Sequence, residues 1–206
     1  MTKPETLLKQ GFNAAIQAAQ AHQLAAFLPT PPKGRTVVIG MGKAGAAMAQ
    51  AFEQHWQGDW NHTQGLIAVP YHSRLPTQYI ELIECAHPIP DLNSQLAAQR
   101  LLDLVQPLGA DDLVICLISG GGSALVSLPA SGLDLAEKQR LTQQLLHSGA
   151  SIHEINTLRR HLSAIKGGHL ALACAPAPII NLIISDVPGD APHQVASGPT
   201  VADPST

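Results

Sequence analysis

Between residues 5 and 28, alanines, leucines and glutamines recur at helical spacing, and Pro29, Pro31, Pro32 and Gly34 end the run, so the pattern predicts a helix and a stop. Thr36 to Ile39 is a short β-branched run that predicts a strand. Gly40 to Gly45 then turns the chain into Ala44 to Gln54, a helix of small residues. Leu66 to Val69 and Tyr79 to Glu84 predict two further strands, and Ser94 to Val105 a helix by period. Leu113 to Ile118 is a continuous apolar run, the mark of a strand buried on both faces of a parallel sheet. Two helices, Leu135 to His147 and Ile152 to Cys174, and a strand, Ile179 to Ile184, complete the pattern. From Ser185 to Thr206 no amphipathic element is predicted, and four prolines punctuate the segment.

Strands alternating with helices predict a doubly wound, three-layer α/β/α sandwich with a mostly parallel sheet, whose ligands sit at the carboxyl ends of the strands. The informative loops are those after Ile39, Ile118 and Ile184. Composition supports a packed core: 45% of the 206 residues are hydrophobic and 13% charged, which excludes a disordered or solvating polypeptide. With 3% aromatic residues and a net charge of -3, the chain offers neither base-stacking surfaces nor the basic footprint of nucleic-acid binding. Cys85, Cys116 and Cys174 are odd in number and widely spaced, so neither a disulfide framework nor a thiolate zinc site is expected, and a reducing compartment fits. Apolar stretches fall far below the roughly 18 residues of a membrane span. A soluble, cytoplasmic protein without membrane partners is the expectation.

Gly40-Met41-Gly42-Lys43-Ala44-Gly45 matches G-x-G-x-x-G after a strand and before a helix. A dinucleotide-binding unit should carry an acid after its second strand, but here Pro70-Tyr71-His72 follows. Lys43 in that loop either adds a cation to a helix start that already favours anions or is a solvated helix lysine. Ser119-Gly120-Gly121-Gly122-Ser123 lets the backbone approach a phosphate or carboxylate, or is a tight turn alone. It is no nucleophile elbow, because Leu125 stands where the second glycine belongs.

On the expected helix through Cys174, Ile155, Leu158, Leu162 and Ile165 should face the core. Beside them Arg159, Ser163 and Lys166 would form one cationic stripe, an anion site or ordinary surface charge. Asp186, at the end of a buried strand, and Asp190 either hold magnesium or cap the turn. His153-Glu154 lacks the second histidine of a zincin, and the ten histidines form no ligand pattern.

Five segments, GMGKAGAAMA, HPIPDLNS, SGGGSAL, INTLRRHLSAIKGGHLA and LIISDVPGDAPHQVASGPTVADPST, together resemble the N-terminal domain of the glycerate 2-kinase family, whose members also carry hydroxypyruvate reductase names. The resemblance implies a Rossmann-like domain over 1–206: an N-terminal helix and linker (1–34), an α/β core (35–187) and an active-site or interdomain segment (188–206). It implies transfer of the ATP γ-phosphoryl to D-glycerate with Mg2+, a partner domain of the same protein that this chain does not include, and allows a homodimer. Lys43 corresponds to the family's catalytic lysine. Gly42, Ser119, Gly120, Gly121, Gly122, Ser123, Arg159 and Lys166 would hold substrate or phosphate, with Asp186 and Asp190 as metal candidates. The family's other catalytic cation, an arginine of the absent domain, leads to the expectation that 1–206 alone has little kinase activity. Two alternatives remain: an NAD(P)H-dependent hydroxypyruvate reductase, and a non-catalytic domain that binds a sugar acid or phosphate.

Overall fold

In the computed structural model, residues 3–205 are described; Met1, Thr2 and Thr206, at the ends of the expected segments, lie outside them. The elements in chain order are α1 (Pro4–Ala18), β1 (Thr36–Met41), α2 (Gly45–His55), β2 (Thr63–Pro70), β3 (Ile80–Cys85) and α3 (Leu92–Leu104). They continue with β4 (Leu113–Ser119), α4 (Gly122–Leu125), α5 (Leu135–His147), α6 (Ile152–His161), α7 (His169–Cys174) and β5 (Ile179–Ile184). The five strands are all parallel, in the order β3-β2-β1-β4-β5. β1 leads outward to β2 and β3, and α3 then carries the chain back across to β4. The order therefore reverses between β1 and β4, which opens a crevice at their carboxyl ends.

Period two sorts the buried strand residues into two cores. Val37, Ile39 and Met41 of β1 pack with Ala97, Ala98 and Leu101 of α3 and with Leu170 and Cys174 of α7. Val38 of β1, Ile67 and Val69 of β2, and Ile115 and Leu117 of β4 pack with Met48, Ala49 and Phe52 of α2. All of β1 and β4 is buried, so both central strands are covered on both faces. The three-layer expectation is met with an entirely parallel sheet.

Three expectations are corrected. The helix over 5–28 is two pieces, α1 and a 3-10 segment Ala21–Phe27; none of α1 is buried, and Leu24 alone in the 3-10 segment is. The helix from 152 to 174 breaks after His161: Leu162 leaves helical backbone as the C-cap (φ -88°, ψ 23°), Ser163 bridges to Pro129, and the left-handed Gly167 (φ 61°) and Gly168 (φ 86°) precede α7. Arg159, Ser163 and Lys166 therefore form no stripe on one helix face. Ser163 is buried, its Oγ donating to Leu128 O at 3.2 Å, and Leu158, expected in the core, is 45% exposed. The segment after Ser185 also carries structure: Val195–Ser197 is a 3-10 turn whose Val195 and Ala196 join the α3 core. Thr200 Oγ1 ties it to β5 by donating to Asn181 Oδ1 at 2.6 Å.

Candidate active site

The loops after β1 and β4 are laced by backbone hydrogen bonds. Lys43 N donates to Gly120 O at 2.9 Å, and Ala44 N donates to Ser119 Oγ at 3.0 Å. Gly121 (φ 86°) is needed for the close approach: a Cβ there would lie 3.1 Å from Lys43 Cγ and Cε and 3.3 Å from His87 Cδ2. The aliphatic stem of Lys43 thus crosses the second glycine loop beside the His87 ring. At Gly120 the loop after β5 joins them, since a Cβ would fall 1.9 Å from Asp186 Oδ2. Segments distant in sequence converge on two glycines for lack of side chains there.

Around this point lies a cleft of about 360 Å3, into which Lys43, His87, Asn156, Arg159, Asp186 and Gln194 contribute. A larger cleft of about 490 Å3 lies between the 3-10 segment Ala21–Phe27 and β5, but no ionisable side chain lines it. The smaller cleft carries the chemistry. Its balance is cationic: Lys43 and Arg159 face it with Asp186 as counter-charge. Partial burial, then Lys43 and Arg159, lower the pKa of His87, which Asp186 opposes; the imidazole is neutral near pH 7. Burial lowers the pKa of Arg159 as well, without threatening its charge. Arg159 Nη1 reaches Asn156 Oδ1 at 3.5 Å, and Asn156 Nδ2 donates to Gln194 Oε1 at 3.4 Å, so the guanidinium has donors left for a ligand.

The expected site residues divide. Lys43, Gly121, Ser123, Arg159 and Asp186 line the cleft. Gly42 and Gly120 lie behind it as backbone that sets the two loops, and Gly122 is buried where a Cβ would meet Ala196 Cβ at 2.7 Å. Ser119 is buried with its Oγ held by Ala44 N, and Ser123 Oγ pairs with Ser197 Oγ at 2.8 Å. Lys166 does not line the cleft; it is 1% exposed and its Nζ donates to Val126 O. Asp190 stays outside the cleft too, closing a turn by donating its N–H to Val187 O at 3.0 Å. His87, Asn156 and Gln194 went unnoticed in sequence. The one signal each left was its place in a segment that carries the family resemblance: HPIPDLNS for His87, INTLRRHLSAIKGGHLA for Asn156 and LIISDVPGDAPHQVASGPTVADPST for Gln194.

Over residues 3–206 the chain matches the family described as "Domain of unknown function (DUF4147)". It belongs to that family. Among curated relatives, a D-glycerate 2-kinase of Thermotoga maritima is 39% identical, aligned over the whole of this chain and 50% of its own length. A protein of Agrobacterium vitis, provisionally named a hydroxypyruvate reductase, is 49% identical over 97% of this chain and 45% of its own. The crystal structure of a Thermotoga maritima glycerate kinase superposes with a TM-score of 0.85 at 37% identity, covering 97% of this chain and 49% of that one. This DUF4147 chain therefore spans about half the length of the relatives it matches.

Proposed function

We propose that this chain is one half of a D-glycerate 2-kinase, which transfers the γ-phosphoryl of ATP to the 2-hydroxyl of D-glycerate and yields 2-phosphoglycerate and ADP. The observation that carries this reading is the cationic cleft at the strand-order reversal, with Lys43 and Arg159 around a glycine loop and a single facing carboxylate. Relatives named glycerate kinase, aligned over nearly the whole chain, support it. Phosphoryl transfer asks for positioning and charge stabilisation rather than a covalent nucleophile, and no nucleophile-base pair is needed. In this role Lys43 offsets negative charge on the transferring group, and the loop 120–122 brings backbone against phosphate or carboxylate oxygens. Arg159, backed by Asn156, holds the second anionic group. His87, uncharged, offers an imidazole nitrogen to the acceptor hydroxyl.

Asp186 suits Mg2+: this ion is commonly held by one or two carboxylates together with substrate phosphates and water. No group of three or more His, Cys, Asp or Glu among the described residues could cage a metal alone, which fits an ion that arrives with the nucleotide. Bound there, Mg2+ would neutralise phosphate charge. Asp190 is the weaker ligand, because it does not line the cleft. Lys166 acts from behind the cleft rather than by touching substrate. The three buried free thiols support a reducing, cytoplasmic setting, and among the described residues no helix is long and apolar enough to cross a membrane.

With the second half that its relatives carry, the protein should convert ATP, Mg2+ and D-glycerate into 2-phosphoglycerate, and Lys43→Ala should lower kcat by about 10² to 10³. The 206-residue chain alone should turn over little and still bind ATP by titration calorimetry, more weakly after Lys43→Ala. Oxidation of NADH by hydroxypyruvate with no consumption of ATP would replace the kinase by a reductase. Undiminished kinase activity in Lys43→Ala would return Lys43 to a solvated helix lysine.

A further inference from the structure

Behind the cleft lies a second, much smaller cavity of about 10 Å3, bounded by Ser123, Ser127, Lys138, Thr142, Arg159 and Lys166. It has room for one small particle, a water or a monatomic ion. Its walls bring together three cations, and no carboxylate lines it. Lys138 and Lys166 are 4% and 1% exposed, and neither lysine nor Arg159 takes part in the ion pairs formed among the described residues. Their chain positions explain how they meet: Lys138 is on α5, Arg159 on α6 and Lys166 in the break before α7.

The ammonium groups are only partly satisfied. Lys138 Nζ donates to Leu128 O at 3.1 Å and Leu162 O at 3.0 Å, while Lys166 Nζ donates to Val126 O. With three donors on each ammonium, Lys138 keeps one and Lys166 two unspent among the described residues. Ser127 sits between Val126 and Leu128 in the chain, is 0% exposed, and its Oγ has no hydrogen-bond partner among the described residues. Buried cations without a counter-charge are costly, and the molecule can relieve that cost by losing a proton or by taking up an anion. Burial, then repulsion from Arg159, pulls Lys138 down to about 8; burial, then Lys138 and Arg159, pushes Lys166 well below its usual value. A water in the cavity would satisfy the Ser127 hydroxyl and leave the charge uncompensated.

We propose that this cavity is a halide-sized anion site, in which one chloride ion is held by Lys138, Lys166 and the Ser127 hydroxyl, with Arg159 between it and the cleft. Because Arg159 lines both spaces, the ion offsets part of the positive charge behind the guanidinium and fixes its position. The cavity shares Ser123 and Arg159 with the cleft, but the two lysines and Ser127 that would hold the ion do not line the cleft, so the proposal does not depend on the kinase reading. A chloride there also explains how two lysines can be buried together with no acid beside them.

The test uses the 206-residue chain, with sodium chloride compared against sodium gluconate at equal ionic strength and pH 7. At ten times its dissociation constant, chloride should raise Tm by about 3–6 °C over gluconate, and the chloride-35 resonance should broaden on adding protein. Lys138→Met should abolish both effects, and Ser127→Ala, which removes only a hydroxyl, should weaken binding severalfold. If Lys138→Met does not fold, Ser127→Ala decides alone. Equal Tm in the two salts overturns the proposal. So does chloride broadening that persists undiminished in the variants, because the ion then binds elsewhere.

Discussion

Replacing Gly42 by alanine should damage this fold more than the same change at another positive-φ glycine, and the structure says by how much. At Gly42 (φ 134°) an added Cβ would lie 2.1 Å from Ser119 Oγ, 2.5 Å from Ser119 O and 2.7 Å from its carbonyl carbon. Two of those atoms are backbone of the central strand β4, which cannot swing aside. The left-handed backbone contributes about 1 kcal/mol of strain and the overlap a further 1–3 kcal/mol, so the expected loss is about 2–4 kcal/mol. Gly132 is the control: its φ is 87°, yet a Cβ there meets nothing within 4 Å. Gly132→Ala should lose only about 1 kcal/mol. In urea, with a slope of about 2 kcal/mol/M, the midpoint should fall by about 1–2 M for Gly42→Ala and by about 0.5 M for Gly132→Ala. Equal shifts would refute the claim that the two glycine loops touch at backbone distance.

Phe52 is fully buried, stacked on Trp56 at 5.1 Å between ring centroids and edge-on to Trp60 at 6.0 Å. Phe52→Ala should cost about 3–5 kcal/mol and lower Tm by about 10 °C, followed by tryptophan fluorescence; a loss under about 1 kcal/mol would contradict the α2 packing. Burial pushes the Cys85 thiol up to about 12, Cys174 up to about 11 and Cys116 well above its usual value. At pH 8 all three are protonated in the folded chain, so Ellman's reagent should leave them untouched natively and titrate three thiols in urea.

Much of the sheet was legible because burial on both faces leaves so plain a pattern. The run Leu113 to Ile118 predicts β4 to within a residue, and Ile179 to Ile184 is β5 as observed. The glycine loops were legible as well, since each follows directly on a strand whose pattern was plain. The break between α6 and α7 was not: Leu162 and Ile165 keep the helical period going, while Ser163, bridged to Pro129, and the left-handed Gly167 and Gly168 override it through tertiary contacts. For the same reason the sequence could not show that Lys166 turns inward to Val126 or that Lys138 on α5 meets it. His87, Asn156 and Gln194 reach the cleft from three separate segments, and only folding makes them neighbours.

Helix α1 buries none of its residues, while Leu7, Leu8 and Phe12 are 64%, 74% and 68% exposed. A 15-residue helix with no buried residue is marginal in water. Its order is thus uncoupled from the cooperative unit formed by the sheet and its covering helices, and denaturant will melt it first and separately. Colloidal behaviour and fold stability are then decided by different parts of the molecule: charged residues at those three positions would keep concentrated samples apart without touching the energetics of the α/β core.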